Sequence, residues 1–326
     1  MKYLYTLILL IVLLLSCETT TDPIIYDKDI EVINKEAELI QILISNKNFQ
    51  EAEKQIEKNL ILFPNNIDIM VLKGWLLLEQ KNIEESEKLF LLLLEKKRKN
   101  PLVLTGLARI NRIKGNREKA LEYIDEGLSY LSTNSYLWLE KGIIEYESKE
   151  YKKALINFNK SYSLYNNNND AYFFKYITML HTGRELDEVK QYWETLLKKR
   201  TLQSWYFQYH ADFLYNKNMK ENAVQILETG LENFPNDPYL LNMLSYYLFN
   251  EYKLKNDVNT LENAKKNIIK CIENNDKIKP EFLDTYFLVL KESDEKEKLN
   301  NEIKKYSLIF PDSEIIIEWI RKISKK

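Results

Sequence analysis

The chain has 326 residues, 45% of them hydrophobic and 29% charged, and that apolar content excludes a disordered polymer. Lys and Arg total 47 against 49 Asp and Glu, and a net charge of −2 provides no global field for gathering nucleic acid. Seven Gly, seven Pro, two Cys and two His are too few for a strand-rich fold or a Gly-rich phosphate loop; they exclude a disulfide scaffold and speak against a zinc site.

Read in order, the chain opens Met1-Lys2-Tyr3, runs apolar from Leu7 to Leu15, and reaches Ser16 and Cys17. A basic start, a short apolar core and a small residue at the cut form a secretory signal. The run is shorter than the roughly 20 apolar residues of a membrane-spanning helix. Its end, Leu14-Leu15-Ser16-Cys17, resembles the lipobox of bacterial lipoproteins. The resemblance implies that residues 1–16 are removed and that Cys17 is acylated, leaving Cys271 as the only other thiol. Each buried methylene of such an anchor contributes about 0.8 kcal/mol. The alternative is an ordinary signal peptide with a chance Cys. Residues 17–32 are assigned to the lipidated Cys and a tether, because Glu18 to about Tyr26 include Thr19-Thr20-Thr21-Asp22-Pro23 and lack apolar periodicity.

From residue 33 the sequence repeats itself. Steps of 34 from Ala52 land on Ser86, Ala120 and Ala154, all small. Four residues beyond each lie Ile56, Phe90, Ile124 and Phe158, and twelve before each lie Ile40, Gly74, Ala108 and Gly142. The register continues with Glu188 and Tyr192, Ala223 and Leu227, Ala264 and Ile268, and Leu299 and Ile303. Eight repeats begin near Ile33, Ile67, Pro101, Ser135, Asn169, Ser204, Pro238 and Pro280. Apolar residues recur three and four apart in both halves of each repeat, as in Ile67-Met70-Val71 with Gly74-Trp75-Leu78, which predicts a helix pair. Pro64, Pro101, Pro235, Pro238, Pro280 and Pro311 punctuate the junctions, where a missing amide costs nothing. Gly115 and Gly183 fall at the turn between paired helices, while Gly74, Gly142, Gly127 and Gly230 lie inside helices and predict a close approach there.

The 34-residue period, the small residue at Gly74 and Gly142, the Ala at 52, 120, 154, 223 and 264, and the Pro at 64, 235 and 311 together resemble tetratricopeptide repeats. The resemblance covers residues 33–312 and implies an all-α solenoid of about eight helix-turn-helix repeats. Tyr176 and Glu188, and Phe287 and Leu299, depart from its small positions in repeats five and eight. Glu251–Thr260 is expected to lengthen the loop inside repeat seven. After Asp312-Ser313, the stripe Ile316, Trp319, Ile320 and Ile323 predicts a closing amphipathic helix over 313–326.

No pattern carries recognisable chemistry. His181 and His210 lack ligand spacing, and no GxSxG, GxxxxGK[ST] or GxGxxG occurs, so no catalytic residue, cofactor or metal is expected. Lys96-Lys97-Arg98 and the C-terminal Lys run read as solvated faces rather than nucleic-acid contacts. In tetratricopeptide proteins the first helix of each repeat lines a groove that holds a partner segment. That implies a face presenting Trp75, Arg109, Arg112, Tyr136, Tyr146, Phe173, His181, Trp205, Tyr215, Asn242, Tyr246 and Phe249. Aromatic, Arg and Asn side chains suit protein contacts. The expected function is a non-catalytic adaptor lipoprotein of the bacterial cell envelope, held at a membrane by Cys17 and binding another envelope protein, with no nucleic-acid partner. Binding of a glycan or small molecule in the same groove is the alternative.

Overall fold

The computed structural model describes residues 27–324, apart from 46, 97–98, 185, 199–201 and 276–277. The expected signal peptide, Cys17 and most of the tether therefore lie outside the described residues. Within them there are 17 helices and no strand. They follow one another as eight consecutive helix pairs, of which seven are packed as hairpins and the fifth is paired by sequence order. The first four are α1 (Asp27–Ser45) with α2 (Phe49–Leu62), α3 (Ile67–Glu79) with α4 (Ile83–Lys96), α5 (Pro101–Ile113) with α6 (Arg117–Tyr130), and α7 (Ser135–Glu147) with α8 (Tyr151–Leu164). The next four are α9 (Asn169–His181) with α10 (Leu186–Leu197), α11 (Ser204–Asn216) with α12 (Lys220–Asn233), α13 (Pro238–Lys255) with α14 (Val258–Glu273), and α15 (Pro280–Glu292) with α16 (Lys296–Ile309). A last helix, α17 (Glu314–Ser324), follows. The chain divides into an N-terminal unit, Met1–Thr178, and a C-terminal unit, Met179–Lys326.

Two expectations need correction. Residues 27–32 belong to α1 rather than to a tether, because Ile30, Ile33, Ala37 and Ile40 already keep helical spacing. The insertion in repeat seven lengthens both helices, not the loop: α13 has 18 residues and α14 has 16, while α11 has 13 and α12 has 14. Only Asn256 and Asp257 join them, with Asn256 left-handed and Asp257 capping α14 through the amides of Asn259 and Thr260. The extension leaves Leu254 and Val258 exposed at its tip.

Helix starts follow from local chemistry. Asn66, Asn100, Asn134, Asn168 and Asp237 accept amide hydrogen bonds at the start of α3, α5, α7, α9 and α13, and Pro101, Pro238 and Pro280 fill a first-turn position. The second helices begin differently. The turn before them passes through one left-handed residue: Lys47, Lys81, Gly115, Lys149, Gly183, Asn218, Asn256 and Asp294 in the eight repeats. Amide bonds back to the preceding helix close the turn, as in Asn82 to the Leu77 carbonyl and Asn116 to that of Asn111. The sequence marks this position only where it is Gly.

The small columns make room for rings. In the N-terminal unit Phe90 is fully buried, and a Cβ added to Gly74 or Gly106 would stand 2.7 or 2.6 Å from that ring. Phe158 meets Gly142 in the same way at 2.5 Å. The close approach expected at Gly74 and Gly142 is thus made by a side chain of the second helix. At the small position of the second helix, Ser161 donates to the Ser135 carbonyl and Cys271 to that of Pro238, tying each second helix to the start of its partner. In the C-terminal unit α17 buries Ile316 and Trp319, and the indole donates to Asp284 Oδ1 at 2.7 Å. Ile320 is more exposed than the expected stripe required. Bulky Tyr176 and Phe287 are buried at their departing positions, the first in the N-terminal and the second in the C-terminal unit.

Candidate functional site

The first helices of the repeats carry every residue expected to meet a partner, and each unit arranges them differently. In the N-terminal unit, Arg109 and Arg112 stand one turn apart on α5 and close on Glu140 of α7. Arg109 Nε donates to Glu140 Oε1 at 2.6 Å and Arg112 Nε to Oε2 at 3.2 Å. The outer nitrogens reach sideways, Arg109 Nη1 to Glu79 Oε1 at 3.1 Å and Arg112 Nη1 to Glu147 Oε1 at 2.6 Å. The Arg109 guanidinium also lies 4.9 Å from the Trp75 ring centre. Glu140 is 1% exposed. Burial alone would raise its pKa, but the charges and hydrogen bonds of Arg109 and Arg112 hold it below the usual carboxylate range. Expected peptide donors are therefore committed within the chain. The missed residue is Glu140, and the signal was available: in a stack, charges about one repeat apart lie side by side, and Glu140 is 31 residues from Arg109.

Around this cluster Tyr136 is exposed, and Tyr146 packs edge-on against Tyr151 and Phe174 at 5.6 and 5.9 Å. Phe173 is fully buried, 5.7 Å from Phe174. It is a core residue and presents nothing to a partner, because its turn of α9 faces inward.

In the C-terminal unit, Trp205 opens α11 and lies edge-on to Tyr206 and Tyr209. Two turns on, Tyr215 stacks flat on Tyr247 of α13 with ring centres 3.9 Å apart. Tyr247 is 5% exposed, and its buried hydroxyl has no hydrogen-bond partner. Burial raises its pKa, followed by Asp212, Tyr215 and Tyr246, so the hydroxyl sits in the field of those three groups. Asn242, on the same helix, likewise buries a side-chain oxygen without a partner. Asp212 is exposed, accepts a hydrogen bond from Asn216 at 3.0 Å and pairs with no cation among the described residues; partial desolvation raises its pKa against that bond. Tyr246 is 42% exposed. Phe249 is buried in the core with Leu241, Phe282 and Tyr286, which corrects its placement on the surface: its ring packs among residues of α13 and α15. His181 lies edge-on to Phe213 at 4.8 Å, and His210 is buried against Trp193 at 4.6 Å. Burial pushes the His210 pKa down to about 3. Asp212 and Tyr247 escaped the sequence because many Asp and Tyr share their pattern; only the meeting of α11 and α13 singles them out.

Among the described residues no cluster of three His, Cys, Asp or Glu could hold a metal ion, and no helix is long and apolar enough to cross a membrane. Helix hairpins in series, with their first helices sharing one register of side chains, define an all-α helical-repeat protein. Residues 43–110 match the tetratricopeptide repeat family model. The fold is similar to that of a tetratricopeptide repeat protein from Parabacteroides merdae, with a TM-score of 0.53 at 16% identity, covering 79% of this chain and 98% of that one. It is similar to yeast Tom70, with a TM-score of 0.62 at 13% identity over 85% of this chain and 58% of that one. It is also similar to the APC/C hetero-tetramer Cut9–Hcn1, with a TM-score of 0.56 at 13% identity over 77% of this chain and 48% of the matched chain. No curated protein matches the sequence.

Proposed function

We propose that this protein is a non-catalytic interaction scaffold of the bacterial cell envelope, lipid-anchored through Cys17, whose first-helix faces hold a segment of a partner protein. The observation that carries the reading is the face of α11 and α13. Exposed Tyr246 and half-buried Tyr215 flank the buried Tyr247 hydroxyl, which has no partner among the described residues, and half-buried Trp205 stands at the start of α11. A scaffold needs such a surface: rigid rings for area and unspent hydrogen-bonding groups for specificity. Tetratricopeptide folds bind protein partners generally, and similar Cut9–Hcn1 was solved as a hetero-tetramer. The lipobox resemblance at Leu14-Leu15-Ser16-Cys17 supports the location. A glycan-stacking role is less favoured, because Tyr215 and Tyr247 stack on each other instead of leaving an open platform.

Two experiments test it. Cys17→Ala should leave helicity unchanged and move the protein from the membrane to the soluble fraction; unchanged partitioning would remove the anchor. In-cell crosslinking should give one dominant partner that is lost from a folded Trp205→Ala/Tyr215→Ala/Tyr246→Ala variant. An identical crosslinked set from both proteins would remove the scaffold reading.

A further inference from the structure

The two first-helix faces differ in unspent charge. In the N-terminal unit each guanidinium of the α5 pair meets carboxylates. In the C-terminal unit Asp212 has an uncompensated carboxylate, the Tyr247 hydroxyl has no partner although Tyr247 is more than nine-tenths buried, and Asn242 Oδ1 is a third acceptor without a donor. Asp212 and Tyr247 lie with the Tyr215 and Tyr246 rings, and Asn242 stands one turn before Tyr246 on α13. The Lys220 ammonium, 5.6 Å from the Tyr215 ring centre, shows that a cation is tolerated on this ring system, yet it forms no ion pair with Asp212.

An exposed carboxylate without a counter-charge and electron-rich ring faces both favour one class of ligand group, a cationic donor. A partner carboxylate would meet Asp212 without a compensating charge, and an apolar side chain would offer it none. We infer that the face formed by Asp212, Tyr215 and Tyr246 is a subsite for a lysine or arginine side chain of a basic partner segment. The ammonium or guanidinium pairs with Asp212 and lies against the exposed Tyr246 ring, outside the closed stack of Tyr215 on Tyr247.

This inference rests on the scaffold reading, but the two fail separately. The probe is a fluorescein-labelled nine-residue Gly/Ser peptide carrying two lysines, compared with twins that carry norleucine or glutamate at those positions. Anisotropy titration of the full chain should show the lysine peptide binding about tenfold more tightly than the norleucine twin, and the glutamate twin binding least. Asp212→Asn should erase most of that preference. Tyr246→Ala should weaken lysine-peptide binding severalfold and leave norleucine-peptide binding nearly unchanged, which a purely structural tyrosine would not do. Equal binding of the three peptides, no binding of the lysine peptide, or a preference that survives Asp212→Asn would overturn the inference. If any of these occurs while the cellular partner is still lost from the triple-alanine variant, the scaffold reading stands alone. An Asp212-dependent lysine preference without a cellular partner would leave only the subsite.

Discussion

The N-terminal and C-terminal units use the same hairpin but spend their polar groups in opposite ways. Around Glu140 the first helices answer one another: two guanidiniums clamp one buried carboxylate and two further carboxylates and an indole finish the coordination. Around Tyr247 the first helices leave a carboxylate, at the position Arg109 holds in its own repeat, and a buried hydroxyl and amide oxygen unanswered. Stability and recognition draw on the same side chains in such repeats. A face that satisfies itself holds its helices in register; a face with unspent groups is available to a partner and costs some stability.

The largest effect expected from breaking this contrast is at Glu140. Glu140→Ala strands two partly buried guanidiniums, and the N-terminal unit should lose about 3–5 kcal/mol, read as lost amide protection in α5 and α7. Replacing Arg109, Arg112 and Glu140 together by apolar residues of similar volume should restore most of it. An unprotected triple variant would show that packing, not charge, was lost.

The next effect belongs to the C-terminal unit and to pH. His210 is held neutral by burial with its pKa near 3, below the usual value of about 6.5. The unfolded chain therefore takes up this proton first, and the stability is fully present above about pH 6.5 and is lost as pH falls toward 3. Between pH 7 and pH 5 wild type should lose about 2 kcal/mol more than His210→Gln in denaturant titrations. Asp212, whose pKa is raised, acts in the opposite direction at lower pH and is common to both proteins. Parallel pH profiles would remove His210 as the cause.

Smaller effects follow. Gly142→Ala places a methyl within 2.5 Å of the Phe158 ring and should cost about 1–2 kcal/mol, overpacking partly offset by helix propensity. Tyr247→Phe removes an unsatisfied buried hydroxyl and should stabilise by about 1 kcal/mol, read by denaturant titration. Lost stability there would mean that the hydroxyl has a partner and that the contrast between the units is not one of unspent groups.

Much of this fold could be read in the sequence, because repetition multiplies weak signals. The columns through Ala52, Ile56 and Gly74 located the helix pairs, and the Pro at the junctions marked several of their starts, while the capping Asn residues were not read as such. The left-handed turns at Lys47, Lys81 and Lys149 were hidden, since only Gly advertises such a backbone. The insertion read as a loop because its polar residues have no apolar stripe, yet Asn256 and Asp257 compress the turn to two residues. The face was legible by register, not by burial. Trp205, Tyr215 and Tyr246 stand where the period puts them, whereas Phe173 and Phe249 share that period and are buried, because helix rotation shifts the buried arc by a fraction of a turn. Arg109 and Arg112 lie on the first helix as the period requires, but their ion pairs with Glu140 depend on the neighbouring helix and are not visible in the period.

The central claim is that the C-terminal face is open and the N-terminal face self-satisfied. Its most direct test is a chemical-shift titration of protein labelled on its aromatic rings, using the two-lysine peptide. The account predicts shifts at Tyr215 and Tyr246 that saturate together and vanish in Asp212→Asn, with Trp75 and Tyr136 unmoved. Shifts at Trp75 and Tyr136 with none at Tyr215 would contradict it.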